Sequence, residues 1–110
     1  MQSILIKRGA NSLNVWESES VQRLLEVITQ LETAEDCRLF LEDLCTIREV
    51  QDMAQRLEVA ELLRAGKNYQ EISAQTAVSS ATISRVNRCL LYGRGGYRMA
   101  LEKNNSEEQV

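Results

Sequence analysis

The absence of proline is the feature that most constrains how this chain can fold. Proline interrupts an α-helix because it lacks the backbone N–H and clashes with the preceding turn, so a chain without it can be helical along its whole length. From Val21 onward the apolar residues recur at intervals of three and four, and no segment alternates between polar and apolar residues as a strand does. The sequence therefore predicts an all-α fold.

Helical faces and capping residues predict the first three helices. Thr33 can cap the second helix, with Asp36 in its first turn. Thr46 and Glu49 form the T-x-x-E pattern of a capping box, which predicts the start of the third helix. The predicted apolar positions are Val21, Leu24, Leu25 and Ile28 in the first helix; Cys37, Phe40, Leu41 and Leu44 in the second; and Val50, Met53, Leu57, Ala60 and Leu63 in the third, which ends at Gly66.

Three shorter helices are predicted in the remainder of the chain. Asn68 is a good cap for a fourth helix over residues 69–76, and Ser79 or Ser80 can cap a fifth that ends near Tyr92. Three glycines follow that end, and residues 97–103 can form a sixth helix. The sequence thus predicts six helices in total.

The chain length predicts a single domain, because 110 residues leave little room for two independent cores. We expect a polar, mobile lead over residues 1–16, one helical domain over residues 17–103 and a mobile polar tail over residues 104–110. No run approaches the roughly 18 apolar residues of a membrane helix, and residues 4–6 are too short for a signal-peptide core. We therefore expect no membrane partner and a cytoplasmic location.

Charge is distributed unevenly along the chain, whose formal net charge is −3. Residues 17–61 carry twelve acidic and four basic side chains, whereas residues 64–98 carry six basic side chains and one acidic. A polyanion would be repelled by the first segment and attracted by the second. This distribution favours nucleic acid as a partner of the basic segment.

The residues that most catalytic and metal sites need are scarce in this sequence. It has no histidine, and its three cysteines form no CxxC pair. We expect Cys37, Cys45 and Cys89 to be reduced and mostly buried thiols. The sequence therefore predicts no enzyme and no cofactor.

Residues 68–91 have the pattern of a helix-turn-helix, in which two short helices cross steeply through a tight turn. Ile72 anchors the first helix and Ser73 is the small residue at the crossing, while Ala77 begins the turn and Val78 lies beneath it. With Ile83, Val86 and Leu90 buried, the other face of the second helix points outward and offers small polar groups and arginines to DNA. The candidate DNA-binding residues are Tyr69, Gln70, Ser79, Ser80, Ala81, Ser84, Arg85 and Arg88.

Three segments resemble the Trp repressor fold family, and most closely its YerC/YecD branch of Gram-positive bacteria. They are L-C-T-I-R-E at 44–49, A-Q-R-L-E-V-A-E-L-L-R-A-G-K-N-Y-Q-E-I at 54–72 and A-T-I-S-R-V-N-R-C-L at 81–90. The resemblance implies six helices in an intertwined homodimer with two DNA-reading heads. It also implies a transcriptional regulator, typically a repressor, that binds a palindromic operator in double-stranded DNA, for example at an amino-acid biosynthesis operon.

The family's corepressor pocket is only partly matched. Arg85 matches the arginine that stacks on the indole ring of tryptophan, but Val86 stands where the family has a glycine and Cys89 where it has a serine. We therefore do not expect tryptophan as corepressor, while another small-molecule effector, or none, stays open. The candidate effector-pocket residues are Thr46, Gln55, Arg56, Arg85 and Cys89, with Gln55 and Arg56 as alternatives for a second arginine of the family pocket.

A helical protein-interaction module, similar to a sigma or anti-sigma domain, is the alternative function. The acidic residues of segment 17–61 would then form the surface that binds a protein partner. Reversing the charges of Arg85 and Arg88 separates the two hypotheses, because it should abolish DNA binding and leave a protein partner bound.

Overall fold

The computed structural model describes residues 12–109, with side chains for residues 14–105. Within these residues the structure contains six α-helices and no strand, which confirms the predicted all-α class. The chain forms two compact units that divide between Leu44 and Cys45. The elements are a 3-10 helix Ser12–Glu17, α1 Glu19–Thr29, α2 Ala34–Leu44, α3 Ile47–Arg64, α4 Tyr69–Thr76, α5 Ser80–Tyr92 and α6 Gly96–Gln109.

The first unit contains the 3-10 helix, α1 and α2. Ser18 caps α1 by accepting a hydrogen bond from the backbone N–H of Val21 at 3.2 Å. Thr33 accepts one from the N–H of Asp36 at 3.0 Å, so the predicted cap of α2 is confirmed. Neither helix buries any side chain, and apolar side chains such as Ile28 and Leu44 are exposed. The predicted apolar faces of α1 and α2 are thus only partly covered, since Leu24, Phe40 and Leu41 are half-buried.

The helices of the second unit begin at the predicted caps. Thr46 and Glu49 form the predicted capping box of α3, with backbone-to-side-chain distances of 2.9 and 3.1 Å. Asn68 and Glu71 form a second capping box at the start of α4, with distances of 2.8 and 2.9 Å. Local polar contacts therefore set where each of these helices starts.

The core lies in the second unit, where α3, α4, α5 and α6 pack together. The sequence correctly predicted that Ala60, Ile72, Ile83 and Val86 would be buried, whereas Leu90 is only half-buried. It missed Val59 and Leu101. The buried core side chains are Val59, Ala60, Ile72, Val78, Ile83, Val86 and Leu101, against which Leu62, Leu63, Leu90 and Tyr97 pack.

Three details differ from the sequence-based predictions. On α3 Val59 is buried in the core, whereas the predicted core residues Met53 and Leu57 are exposed. Helix α6 continues to Gln109, six residues beyond its predicted end. The expectation of mostly buried thiols was wrong, because Cys89 is exposed and the other two cysteines are only half-buried. In addition, no helix between residues 12 and 109 is long and apolar enough for a membrane span.

Candidate functional site

A tight turn of three residues joins α4 to α5. Ala77 adopts a left-handed conformation with φ of 62°, and its backbone N–H donates to the carbonyl of Ser73 at 2.8 Å. Thr76 stabilises the same turn, since its hydroxyl donates to the carbonyl of Ile72 and accepts from the N–H of Val78. Val78 is buried beneath the turn as the sequence predicted, which fixes the direction in which α5 leaves it.

One face of α5 is held in the core, and the opposite face is therefore turned outward. Ile83 and Val86 are fully buried, with 0% and 1% of their surface exposed. Ser79 caps the helix: its hydroxyl accepts from the N–H of Thr82 and also contacts the Thr82 hydroxyl, each at 3.2 Å. The exposed residues of this outer face are Ser80, Ala81, Ser84, Arg85, Arg88 and Cys89.

The N-terminal end of α4 lies beside this face. Tyr69 and Gln70 are both exposed in the first turn of α4. The Tyr69 hydroxyl oxygen lies 3.5 Å from Oγ of Ser84, so the first helix and the outer face of the second are joined by a side-chain contact. The sequence did not predict this pairing, although Tyr69 lies three residues before Ile72 and so shares the face of α4 that packs on α5.

The six basic residues of segment 64–98 fall into two groups. Arg64 forms an ion pair with Glu102 at 3.6 Å, and Arg98 donates from Nη2 to the carbonyl of Leu90 at 3.0 Å. The other four form neither an ion pair nor a side-chain hydrogen bond with any residue from 14 to 105; they are Lys67, Arg85, Arg88 and Arg94. The positive charge on the outer face of α5 is thus available to an external anion.

Acidic and basic side chains pair differently in the first unit. Arg38 forms ion pairs with Glu35 and Glu42 on the same face of α2. Its hydrogen bond holds the pKa of Glu35 below the ordinary value for a glutamate, and in turn raises the pKa of the Arg38 guanidinium. These groups are solvent-exposed and local to one helix, so they stabilise α2 without forming a site.

The structure shows the surroundings of several candidate effector residues. Thr46 and Gln55 lie on the same helix and are about 13 Å apart along its axis, and the Thr46 hydroxyl is used in the capping box. Gln55 borders an open depression that does not include Arg85 or Cys89; its other lining residues are Arg48, Gln51, Asp52 and Ala54. Arg56 is half-buried, and the Val86 side chain fills the core beside Arg85.

Metal binding finds no support in the described part of the chain. Among those residues no group of three or more cysteine, aspartate or glutamate side chains could hold a metal ion. The candidate site is instead the exposed outer face of α5 together with Tyr69 and Gln70 at the start of α4.

Comparison with known proteins shows which family this chain belongs to. The sequence profile of the family described as Trp repressor protein matches residues 19–105. The chain belongs to the Trp repressor family. Trp repressors are regulators and carry out no catalysis, so the chain is not an enzyme.

Known members of the Trp repressor family resemble this chain along most of its length. It is 48% identical to YerC of Bacillus subtilis over 90 residues, which cover 82% of this chain and 86% of that protein. The crystal structure of a TrpR-like protein from Eubacterium eligens matches with a TM-score of 0.80 at 40% identity, covering 84% of this chain and 95% of that one. A crystal structure from Staphylococcus aureus matches with a TM-score of 0.76 at 41% identity, covering 78% and 86% of the two chains. The expected resemblance to the YerC branch is thereby confirmed.

Proposed function

We propose that this protein is a sequence-specific DNA-binding transcriptional regulator, most simply a repressor, that acts on the bacterial chromosome in the cytoplasm. The observation that carries the proposal is the outer face of α5, where Arg85 and Arg88 have no acidic partner among residues 14–105 and lie beside small polar side chains. Helices α4 and α5 act as a helix-turn-helix, and α5 enters the major groove with its N-terminal end first. Repression follows if the occupied operator overlaps a promoter.

The exposed side chains divide between reading bases and contacting the DNA backbone. At the tip of α5, Ser80, Ala81 and Ser84 face base edges. Arg85, Arg88 and the α4 residue Gln70 contact phosphates or neighbouring bases, and they supply most of the affinity. Ser79 contributes chiefly through its cap, because its hydroxyl is already bonded to Thr82.

The regulator acts as a homodimer on a palindromic operator. The uncovered apolar side chains of the first unit, including Leu25, Ile28, Leu39 and Leu44, support an intertwined arrangement, since a second copy of the chain would bury them. Two identical heads would then read two half-sites about one helical turn, roughly 34 Å, apart.

Tryptophan is not the corepressor of this protein. Val86 stands where the family has a glycine, and we expect its side chain, which is buried in the core, to obstruct an indole ring beside Arg85. Cys89 is a weak hydrogen-bond partner for the amino group of an amino acid. We therefore expect the apparent DNA affinity to change less than about twofold when tryptophan is added at a concentration that saturates a tryptophan-dependent repressor.

Selection of bound DNA from a random pool tests the proposal. We expect the purified protein to enrich a palindrome with two half-sites, and the Arg85→Glu/Arg88→Glu variant to enrich none because reversed charges repel phosphates. Arg23→Glu/Arg48→Glu, which makes the same change of net charge at two exposed arginines outside α4 and α5, is the matched control and should enrich the wild-type palindrome.

The outcomes separate the two hypotheses for this chain. Promoters that contain the enriched palindrome would name the regulated genes and test the expected link to amino-acid biosynthesis. A pool that stays random, including after addition of a mixture of amino acids and nucleotides, would refute sequence-specific DNA binding and favour the protein-interaction module.

A further inference from the structure

One side-chain contact on the outer face joins the two helices that are proposed to bind DNA. The Tyr69 hydroxyl and the Ser84 hydroxyl are 3.5 Å apart, within hydrogen-bonding distance, although fifteen positions separate the residues in sequence. Tyr69 is 37% exposed and Ser84 is also exposed, so the pair is open to an approaching ligand on one side.

The relative position of the two residues is fixed by their neighbours. Tyr69 is the first residue of α4 and directly follows the Asn68 cap, which is held by its capping box with Glu71. Ser84 directly follows Ile83, whose side chain is fully buried against the same core as Ile72. These capping and packing contacts place the two hydroxyls side by side in the chain without DNA.

The chemistry of the two hydroxyl groups gives this contact a direction. Each group has one proton to donate and lone pairs to accept. A phenol is a stronger hydrogen-bond donor than an alkyl hydroxyl, so we take Tyr69 as the donor. When Tyr69 donates to Oγ of Ser84, it occupies one of the two Ser84 lone pairs, which leaves one proton and one lone pair for the ligand.

We propose that Tyr69 is a positioning residue that occupies one acceptor lone pair of Ser84, biases its hydroxyl toward donation and thereby shifts which base Ser84 prefers. In the major groove guanine, adenine and thymine each present an acceptor, whereas cytosine presents only the N4 amino donor. The operator position read by Ser84 should therefore disfavour cytosine on the contacted strand. This inference rests on the proposed DNA-binding function and assigns Tyr69 a role through Ser84 in place of a phosphate contact.

A double-mutant cycle on operator variants tests the inference. The operator selected by the wild-type protein is made with each of the four bases at every position, and relative affinities are measured for wild type, Tyr69→Phe, Ser84→Ala and the double variant. The position whose preference changes in Ser84→Ala is the Ser84 position. Tyr92→Phe is the matched control, since Tyr92 is 82% exposed and its hydroxyl bonds to no described residue.

We expect Tyr69→Phe to weaken discrimination against cytosine at the Ser84 position by about twofold, because one of the two acceptor directions of Ser84 is no longer occupied. Without the phenol, both Ser84 lone pairs are free to accept from the cytosine amino group. The same substitution should have no further effect in the Ser84→Ala background, and it should leave the salt dependence of binding unchanged. Tyr92→Phe should match the wild type throughout.

Three results would overturn the inference, and they differ from failure of the proposed function. Uniform weakening on every sequence with a flatter salt dependence would make Tyr69 a phosphate contact. An undiminished effect of Tyr69→Phe in the Ser84→Ala background would make the two residues independent. No altered position in Ser84→Ala would remove Ser84 as a reader. If the wild-type protein selects no sequence at all, the proposed function fails first and the inference fails with it.

Discussion

Both compact units of this chain are built from amphipathic helices, yet they differ in where the apolar side chains lie. In residues 45–109 side chains from α3, α4, α5 and α6 enclose a core, and Val59, Ile72 and Ile83 are completely buried. In residues 12–44 the helices α1 and α2 bury no side chain, and Ile28 remains 45% exposed.

The difference separates two ways in which a helical segment can be stabilised. Burial supplies most of the favourable free energy of folding, so the second unit has the means to stabilise itself. The first unit has capped helices and surface ion pairs, which contribute little by comparison. Under the proposed function its apolar faces are stabilised by a second copy of the chain, while the second unit binds DNA.

The largest expected effect tests the core of the second unit. Ile72→Ala should lower the free energy of unfolding by about 2–5 kcal/mol, because it removes buried methyl groups and leaves a cavity. Leu91→Ala is the control, since Leu91 is 60% exposed on α5, and it should cost less than about 1 kcal/mol. Chemical denaturation measures both. Equal losses would contradict the core described for residues 45–109.

Self-association provides the next test, this time on the first unit. Ile28→Asp should weaken the association of two chains at least about tenfold, because it would bury an unpaired carboxylate in the proposed dimer. Gln30→Asp adds the same charge at the exposed C-cap residue that directly follows α1 and should leave association intact. Sedimentation equilibrium measures the association constant of the wild-type protein and of both variants. A wild-type protein that stays monomeric would contradict the proposal that a second copy of the chain buries the exposed apolar side chains of the first unit.

A smaller effect is expected at the turn between α4 and α5. Ala77 is the one residue other than glycine with positive φ among residues 12–109, and its Cβ is strained there. Ala77→Gly should therefore stabilise the protein by about 1 kcal/mol, whereas Ala74→Gly in the interior of α4 should destabilise it by about 0.5–1 kcal/mol. Thermal unfolding compares the two variants. Two changes of the same sign would contradict the left-handed turn.

The smallest effect concerns the surface ion pairs of the first unit. Since the Arg38 hydrogen bond lowers the pKa of Glu35, this contact stabilises the folded chain above the ordinary pKa of glutamate, roughly pH 4, and is lost as the pH falls through the lowered pKa. Glu35→Gln should accordingly lose less stability than wild type on acidification. Glu58→Gln, at an exposed glutamate without an ion pair to a described residue, should follow the wild-type curve in denaturation measured at several pH values.

Much of the fold could be predicted because short sequence patterns mark where its helices start. The capping pairs Thr46–Glu49 and Asn68–Glu71 involve residues three apart, so the sequence shows them directly. The core side of α3 could not be predicted in the same way. This helix has apolar residues on two stripes, and only its packing on other helices decides that Val59 is buried while Met53 is exposed.

The candidate site could also be predicted only in part from the sequence. The outward face of α5 could be predicted because the periodicity of Ile83, Val86 and Leu90 assigns it by exclusion. The contact between Tyr69 and Ser84 could not, since it depends on the crossing of two helices set by the turn at Ala77. Likewise, the sequence did not show that Arg98 donates to the carbonyl of Leu90 while Arg88 forms no side-chain hydrogen bond or ion pair with the described residues.

The confinement of the core to residues 45–109 has a consequence for biosynthesis. A ribosome releases α1 and α2 first, when they have no apolar surface of their own chain on which to settle. The later segment encloses its core from mostly nearby residues and can condense as soon as it emerges. We therefore expect folding to proceed in the reverse of the order of synthesis, with the oldest part of each new chain the last to become ordered.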